Sequence, residues 1–309
     1  MSSAARPYRT VLKNAMLTHL QTPPTPPSRV VVIGARGFVG GTVDRHLKAS
    51  GIATLALSRT DVDLLQAGAD ERLAAQLRPE DAVVFVSAIA PCRDVAGLIR
   101  NLTMVQAVLG AIGRSPVSHL VNISSDAIYA QDSQAVDART PVAPDSMHGM
   151  MHAARELALR SGTKIPLASL RPSLLYGATD PHNGYGPNRF RRLAAEGKDI
   201  PLFGGGEEKR DHVFVEDVAQ VVELCLRHRS TGTLDVVTGH STSFREVAEM
   251  IVARTDKPVS IVPSPRQNPI LHRTFDVAER IAAFPGFTPT PLEAGLARVL
   301  KEAAGGARG

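Results

Sequence analysis

The chain has 309 residues, 43% of them hydrophobic, 21% charged and 4% aromatic, with no tryptophan. It is too long for a small metal finger or disulfide scaffold, and its apolar share suffices for a large, mainly aliphatic core, which excludes fibrous and wholly disordered chains. Lys and Arg number 35 against 30 Asp and Glu, a formal net charge of +5; Arg6, Arg9, Lys13 and Arg29 lie in the first 29 residues, which hold no Asp or Glu, so most of the excess is N-terminal.

Cys92 and Cys225 stand far apart, in no CxxC or Cys/His ligand spacing, which points to a reducing, cytoplasmic compartment. No apolar run approaches the roughly 20 residues that span a bilayer, and no secretory signal is readable, so no membrane partner is expected. No basic stripe with interleaved aromatics suggests nucleic acid.

Residues 1–28 contain Pro23, Pro24, Pro26 and Pro27 and read as a flexible, extended leader outside the fold. Val30 to Ile33 is a continuous β-branched run, the pattern of a strand buried on both faces, and a helix is predicted from Phe38 to Ser50. Further strands read at 53–57, 82–86, 120–123 and 167–170, with helices near 66–77, 94–112 and 147–161 between them. Such alternation calls for an α/β doubly wound parallel sheet, a Rossmann domain, over 29–172. From 173 to 309 glycine- and proline-rich connections suggest a smaller C-terminal substrate-binding lobe. Segments at about 210–240 return to the main domain, and helices are predicted at 243–254 and 291–302.

Gly34, Gly37 and Gly40 follow the first strand and, with Phe38 and Val39, open the first helix. Glycines there let the backbone turn sharply and a pyrophosphate approach the free N–H groups at the helix's positive end. The second strand ends Leu57-Ser58-Arg59-Thr60, without the acidic residue usual for NAD. Arg59 beside Ser58, and Arg36 in the glycine turn, suit a 2′-phosphate. NADP is therefore favoured over NAD, for which Asp61 and Asp63 remain as ribose partners. Ser87, Ala88 and Ile89 after the third strand are predicted to line the dinucleotide, and Arg171 to lie near the nicotinamide, because ligands bind outside the carboxyl ends of such strands.

Four ordered motifs carry a resemblance: Gly34-Ala35-Arg36-Gly37-Phe38-Val39-Gly40, Asn122-Ile123-Ser124-Ser125-Asp126-Ala127-Ile128-Tyr129, Leu170-Arg171-Pro172-Ser173-Leu174-Leu175-Tyr176-Gly177, and Lys209-Arg210-Asp211-His212-Val213-Phe214-Val215-Glu216-Asp217-Val218-Ala219. From Arg29 to Glu302 the chain resembles the extended short-chain dehydrogenase/reductase family, the NAD(P)-dependent nucleotide-sugar epimerases, dehydratases and 4-ketoreductases. The resemblance implies hydride transfer between a nicotinamide and a sugar carbon. A Ser or Thr hydroxyl and a tyrosine serve the oxygen, and a lysine four residues on lowers the tyrosine pKa from its usual value of about 10 and holds the ribose.

Ser125 matches the hydroxyl position, but the Tyr-x-x-x-Lys pair is missing. In its place the segment Ser146-Met147-His148-Gly149-Met150-Met151-His152 puts His148 at the tyrosine position and His152 at the lysine position. Two readings follow. In one, His148, with an ordinary pKa of about 6.5, exchanges the substrate proton and His152 bonds the cofactor ribose, giving keto-sugar reduction or epimerisation. In the other, the protein is a catalytically silent NADP- and sugar-nucleotide-binding protein. Two histidines at i and i+4 have no identifiable third ligand, so no metal is expected.

The resemblance also implies a nucleotide-sugar partner met by Arg210 and Arg266, at positions that often meet a pyrophosphate, and by Asn188 and Arg189. Arg191 and Lys198 read as a solvated helix face. A homodimer through the helices at 94–112 and 147–161 is a family-level expectation.

Overall fold

The computed structural model describes residues 16–266 and 268–306. Six parallel strands form the main sheet in the spatial order Thr54–Leu57, Val30–Ile33, Ala82–Phe85, His119–Ile123, Leu167–Pro172 and Ser230–Val236. Helices Phe38–Ala49 and Val215–Arg227 cover one face, and Val95–Arg114 and Met147–Gly162 the other. Side chains alternate along each strand, so Val30 and Val32 enter the first core while Val31 and Ile33 enter the second. Two-sided burial explains why this strand reads as an unbroken apolar run. Each such side chain contributes roughly 1.5–3 kcal/mol when fully buried.

Strand order reverses at Val30–Ile33, which pairs with Thr54–Leu57 on one side and Ala82–Phe85 on the other. Ligands of doubly wound sheets bind in the crevice that this reversal opens at the carboxyl ends. Beyond the main sheet lie Leu174–Tyr176, Lys209–Phe214 and Ser241–Ser243 in one small sheet, and Ile200–Phe203 with Ile261–Ser264 in another. Tyr176, Phe190, Phe214, Phe244 and Leu296 fill a separate core there.

Three expectations are revised. Residues 16–28 are not outside the fold: Thr18–His19 adds a seventh, antiparallel strand beside Ser230–Val236. The His19 ring stacks on His228 at 4.2 Å, accepts from Ser230 Oγ at 2.9 Å and donates to the Ala283 carbonyl at 2.9 Å. The earlier part of the expected leader, residues 1–15, lies outside the described residues. The helix expected at 66–77 shortens to Ala69–Ala74, since Gly68 at φ +71° is left-handed. Finally, Val95–Arg114 is by length and composition apolar enough to cross a membrane. In this fold it lies between Ala69–Ala74 and Met147–Gly162, with Met104, Val105, Val108 and Ile112 in the core.

Candidate active site

The glycine turn closes tightly on itself. A Cβ on Gly40 would lie 2.1 Å from the Gly34 carbonyl oxygen, and Gly34, at φ +99°, abuts the Ser87 backbone at 2.8 Å from such an atom. Gly37 caps helix Phe38–Ala49 with no side-chain hydrogen bond, and the first turn holds no acidic residue. Its leading N–H groups are therefore open to an anion. Ser87 N donates to the Ile33 carbonyl, and buried Asn101 clasps Ile89 through both backbone groups, at 3.0 and 3.1 Å. Ser87, exposed Ala88 and Ile89 thus form the opposite wall of the crevice. This cradle fits the diphosphate and adenosine half of a dinucleotide.

At the end of Thr54–Leu57 the groups sort into pairs. Ser58 donates to Asp61 Oδ2 from both its hydroxyl, at 2.6 Å, and its amide, at 2.8 Å. Those bonds, with Arg36 nearby, hold the Asp61 carboxyl below the usual carboxylate range. Arg59 reaches Asp63 at 3.1 Å with most of its side chain in solvent, so that ion pair is cheap to exchange. Arg36 is exposed.

Helix Met147–Gly162 begins with Ser146 accepting from the Gly149 amide. A Cβ at Gly149 would lie 2.0 Å from the Ala127 carbonyl, so the helix presses backbone-close onto the turn Asp126–Ile128 that follows Ser125. This packing sets the first turn of the helix, which carries His148, against the turn after Ser125. His148 Nδ1 accepts from the Cys92 amide at 3.4 Å, and its ring meets that of His152 edge to face. Burial, then the charge of His182, lowers the His148 pKa; burial, then His148 and Arg155, lowers that of buried His152 well below its ordinary value. Ser125 Oγ donates to Asp126 Oδ1 at 3.3 Å and accepts from the Ala127 amide. Arg273 pairs with Asp126 at 3.5 Å and donates to the Ala130 carbonyl.

Exposed His182 and buried Arg273 are neighbours of the site that sequence reasoning missed. Neither sits in a spacing that marks it, since each arrives from the second lobe. No group of three or more His, Cys, Asp or Glu able to hold a metal ion lies among the described residues.

Arg171, expected near the nicotinamide, has its guanidinium taken up inside the fold. It is 3% exposed, clamps Glu156 at 2.9 and 2.7 Å and donates to Tyr129 Oη at 3.0 Å. Tyr129 in turn donates to Asp235, at 2.9 and 3.0 Å. The reason is parity: Leu170 faces one core, so Arg171 turns to the opposite face of the sheet, beneath helix Met147–Gly162.

The substrate lobe needs similar revision. Asn188 is buried, accepting from Gly177 N and donating to the Leu175 carbonyl, which fastens its helix. Arg189 on the same turn is half-buried. Arg191 is buried rather than solvated, donating to the carbonyls of Gly177 and Ala178 at 3.2 and 2.8 Å. Lys198 is exposed and pairs with Glu196. Arg210 and Arg266 converge on one carboxylate, lying 2.5 and 3.7 Å from Glu208, with Arg266 also 2.5 Å from Glu207.

The chain is 33% identical over 154 residues to the dTDP-L-rhamnose 4-epimerase of Burkholderia thailandensis, a match spanning 47% of this chain and 42% of that protein. It is 28% identical to the dTDP-4-dehydro-6-deoxy-D-allose reductase of Streptomyces bikiniensis, over 86% of this chain and 93% of that one. Solved structures with this fold include the UDP-glucose 4-epimerase of Thermotoga maritima with UDP-glucose, at 21% identity and a TM-score of 0.79 over 91% of this chain and 100% of that one. Another is the UDP-glucose 4-epimerase of Thermus thermophilus in complex with NAD, at 24% identity and a TM-score of 0.77 over 90% and 99%. A family model matches residues 30–238. With that match over an open glycine cradle and a doubly wound sheet, the chain belongs to the NAD dependent epimerase/dehydratase family.

Proposed function

We propose that the protein is an NAD(P)-dependent nucleotide-sugar oxidoreductase, reducing or epimerising a keto-sugar with Ser125 and His148 on the sugar oxygen. The carrying observation is that His148 precedes Gly149, which presses onto the Ala127 carbonyl of the turn after Ser125, and that His148 Nδ1 already accepts from the Cys92 amide. A neutral ring in that state bears its proton on Nε2, the donor a carbonyl oxygen requires. The full-length similarity to the allose reductase supports a reductive direction.

Within this site a bound nicotinamide supplies the hydride. Ser125 Oγ leaves Asp126 and, with His148 Nε2–H, donates to the sugar oxygen, so negative charge developing there meets two preoriented donors. The proton that converts this oxygen to a hydroxyl passes through His148 Nε2, which takes one from solvent as it gives one up, so the ring stays neutral. Neutral His152 bonds the nicotinamide ribose. Arg210 and Arg266 exchange Glu207 and Glu208 for the substrate diphosphate, a bidentate partner of higher charge. NADP is the preferred form: exposed Arg36 and loosely paired Arg59 flank the ribose end, supporting 2′-phosphate contact. The protein works in the cytoplasm as a homodimer, for which exposed Val95 and Ile99 on one helix and Met150 and Leu157 on the next offer an apolar face.

The test is titration with NADPH and NADH, then single-turnover loss of nicotinamide absorbance with a panel of keto-sugar nucleotides. Hydride loss that His148→Phe abolishes establishes the reading. Tight NADPH binding with no hydride loss for any substrate overturns it in favour of a binding protein.

A further inference from the structure

Arg155 lies one helical turn beyond His152 and is wholly buried. Its Nε, Nη1 and Nη2 have no hydrogen-bond partner among the described residues. The guanidinium lies 4.4 Å from the centroid of the Phe85 ring, at the carboxyl end of a central strand. Asn122, in register with Phe85 on the neighbouring strand, likewise has an unpartnered buried Oδ1. The next carboxylate on the helix, Glu156, is held bidentately by Arg171. A buried cation without a counter-ion is costly, and packing alone does not require one. Where the resemblance leads one to expect a lysine, this chain has a histidine, and a guanidinium one turn on.

We propose that Arg155 is a positioning residue: from inside the fold it supplies the fixed positive charge that keeps His152, the ring set edge to face against His148, neutral. This rests on the catalytic reading of His148 given above. Burial pushes Arg155 down to about 10, so it stays charged at neutrality. In a low-dielectric interior its field reaches the His152 imidazole one turn away with little screening, opposing its protonation.

The other charges around the pair do not cancel it. His182 faces His148 from the second lobe and acts in the same direction as Arg155. Asp126, on the turn packed against the helix, is paired with Arg273, and Asp94 caps the helix Val95–Arg114. Cys92 presents its amide to His148. The Cys92 contact sets which nitrogen of His148 carries the proton, and Arg155 disfavours a second proton on His152.

Histidine-labelled full-length protein is titrated by NMR from about pH 5 to 9, reading each ring's midpoint in wild type, Arg155→Met and Arg155→Lys. Met keeps the burial and removes the charge. Wild-type His148 and His152 are expected to titrate below the ordinary value of about 6.5. In Arg155→Met the His152 midpoint is expected to rise by roughly half a pH unit or more, with Arg155→Lys staying near wild type. Unchanged midpoints in Arg155→Met overturn the proposal. So does a wild-type His152 midpoint at the ordinary value, a measurement that stands even if neither variant folds. Failure of every keto-sugar to turn over would instead overturn the catalytic reading and leave these midpoints to decide the role of Arg155.

Discussion

The imidazole rings of His148 and His152 stand edge to face, their centroids 4.8 Å apart and their planes at 85°. Two rings so placed cannot both carry a proton without repulsion, and with Cys92 donating to His148 Nδ1 the favoured state has both neutral. His148→Phe keeps an aromatic ring, somewhat larger, and removes Nε2–H. Stopped-flow hydride transfer should fall by roughly 10²–10⁴-fold. NADPH affinity should stay within a few-fold of wild type, because the glycine cradle is untouched.

The pH profile separates a neutral donor from an imidazolium donor. The His148 pKa is lowered, chiefly by burial, so the neutral ring dominates from below the ordinary value upward. Protonating Nδ1 would displace the Cys92 contact. The single-turnover reduction rate should therefore fall toward acid, below about pH 6.5, and stay flat from about pH 7 to 9. A rate that falls as pH rises through 6.5 would assign the work to imidazolium.

Gly40→Ala places a methyl where the Gly34 carbonyl oxygen would be 2.1 Å away, a backbone clash that no rotamer relieves. The turn must open and the leading N–H groups of Phe38–Ala49 lose their common aim. Calorimetric titration should show NADPH binding weakened at least about tenfold, with a lower Tm.

Cofactor choice should follow charge. Removing Arg36 or Arg59 by alanine deletes a charge-assisted contact of about 1.5–3 kcal/mol to a 2′-phosphate and nothing from a ribose diol. Kd for NADPH should rise roughly 10- to 150-fold and Kd for NADH hardly move. Equal losses for both would assign the site to NAD.

Buried Asp235 is pushed up to about 7, mainly by desolvation against the attraction of Arg171. An acid raised on folding binds more protons folded than unfolded, so its ionisation costs stability as pH climbs from about 4 to 7 and throughout the range above. Asp235→Asn still accepts from Tyr129 and avoids that cost. Its Tm relative to wild type should be higher at pH 8 than at pH 5.

Val30–Ile33 and the glycine turn were legible because two-sided burial and a backbone-close bend each demand particular residues wherever the rest of the chain lies. Arg171 was not, although its motif was: the motif marks a strand end, while sheet parity and distant Glu156 decide where the side chain goes. Arg191 reads as one of several surface cations until Gly177 and Ala178 place their carbonyls over it. Arg155 carries no signal in a helix whose other charges are ordinary. The His148–His152 pair was visible by spacing, but its neutral state depends on burial and on the Cys92 amide, whose approach is tertiary.

The short strand Thr18–His19 covers the outer side of Ser230–Val236, pairing with Ser230 and Thr231, while Met16 bridges to Thr233. Without it that seven-residue strand would present a row of unsatisfied N–H and C=O groups to the solvent. A shortened protein beginning at Arg29 would keep every residue of the cofactor crevice yet carry an adhesive edge, ready to adopt a strand from another copy. Light scattering of that truncation, compared with the longer chain, should show self-association growing with concentration at unchanged NADPH affinity.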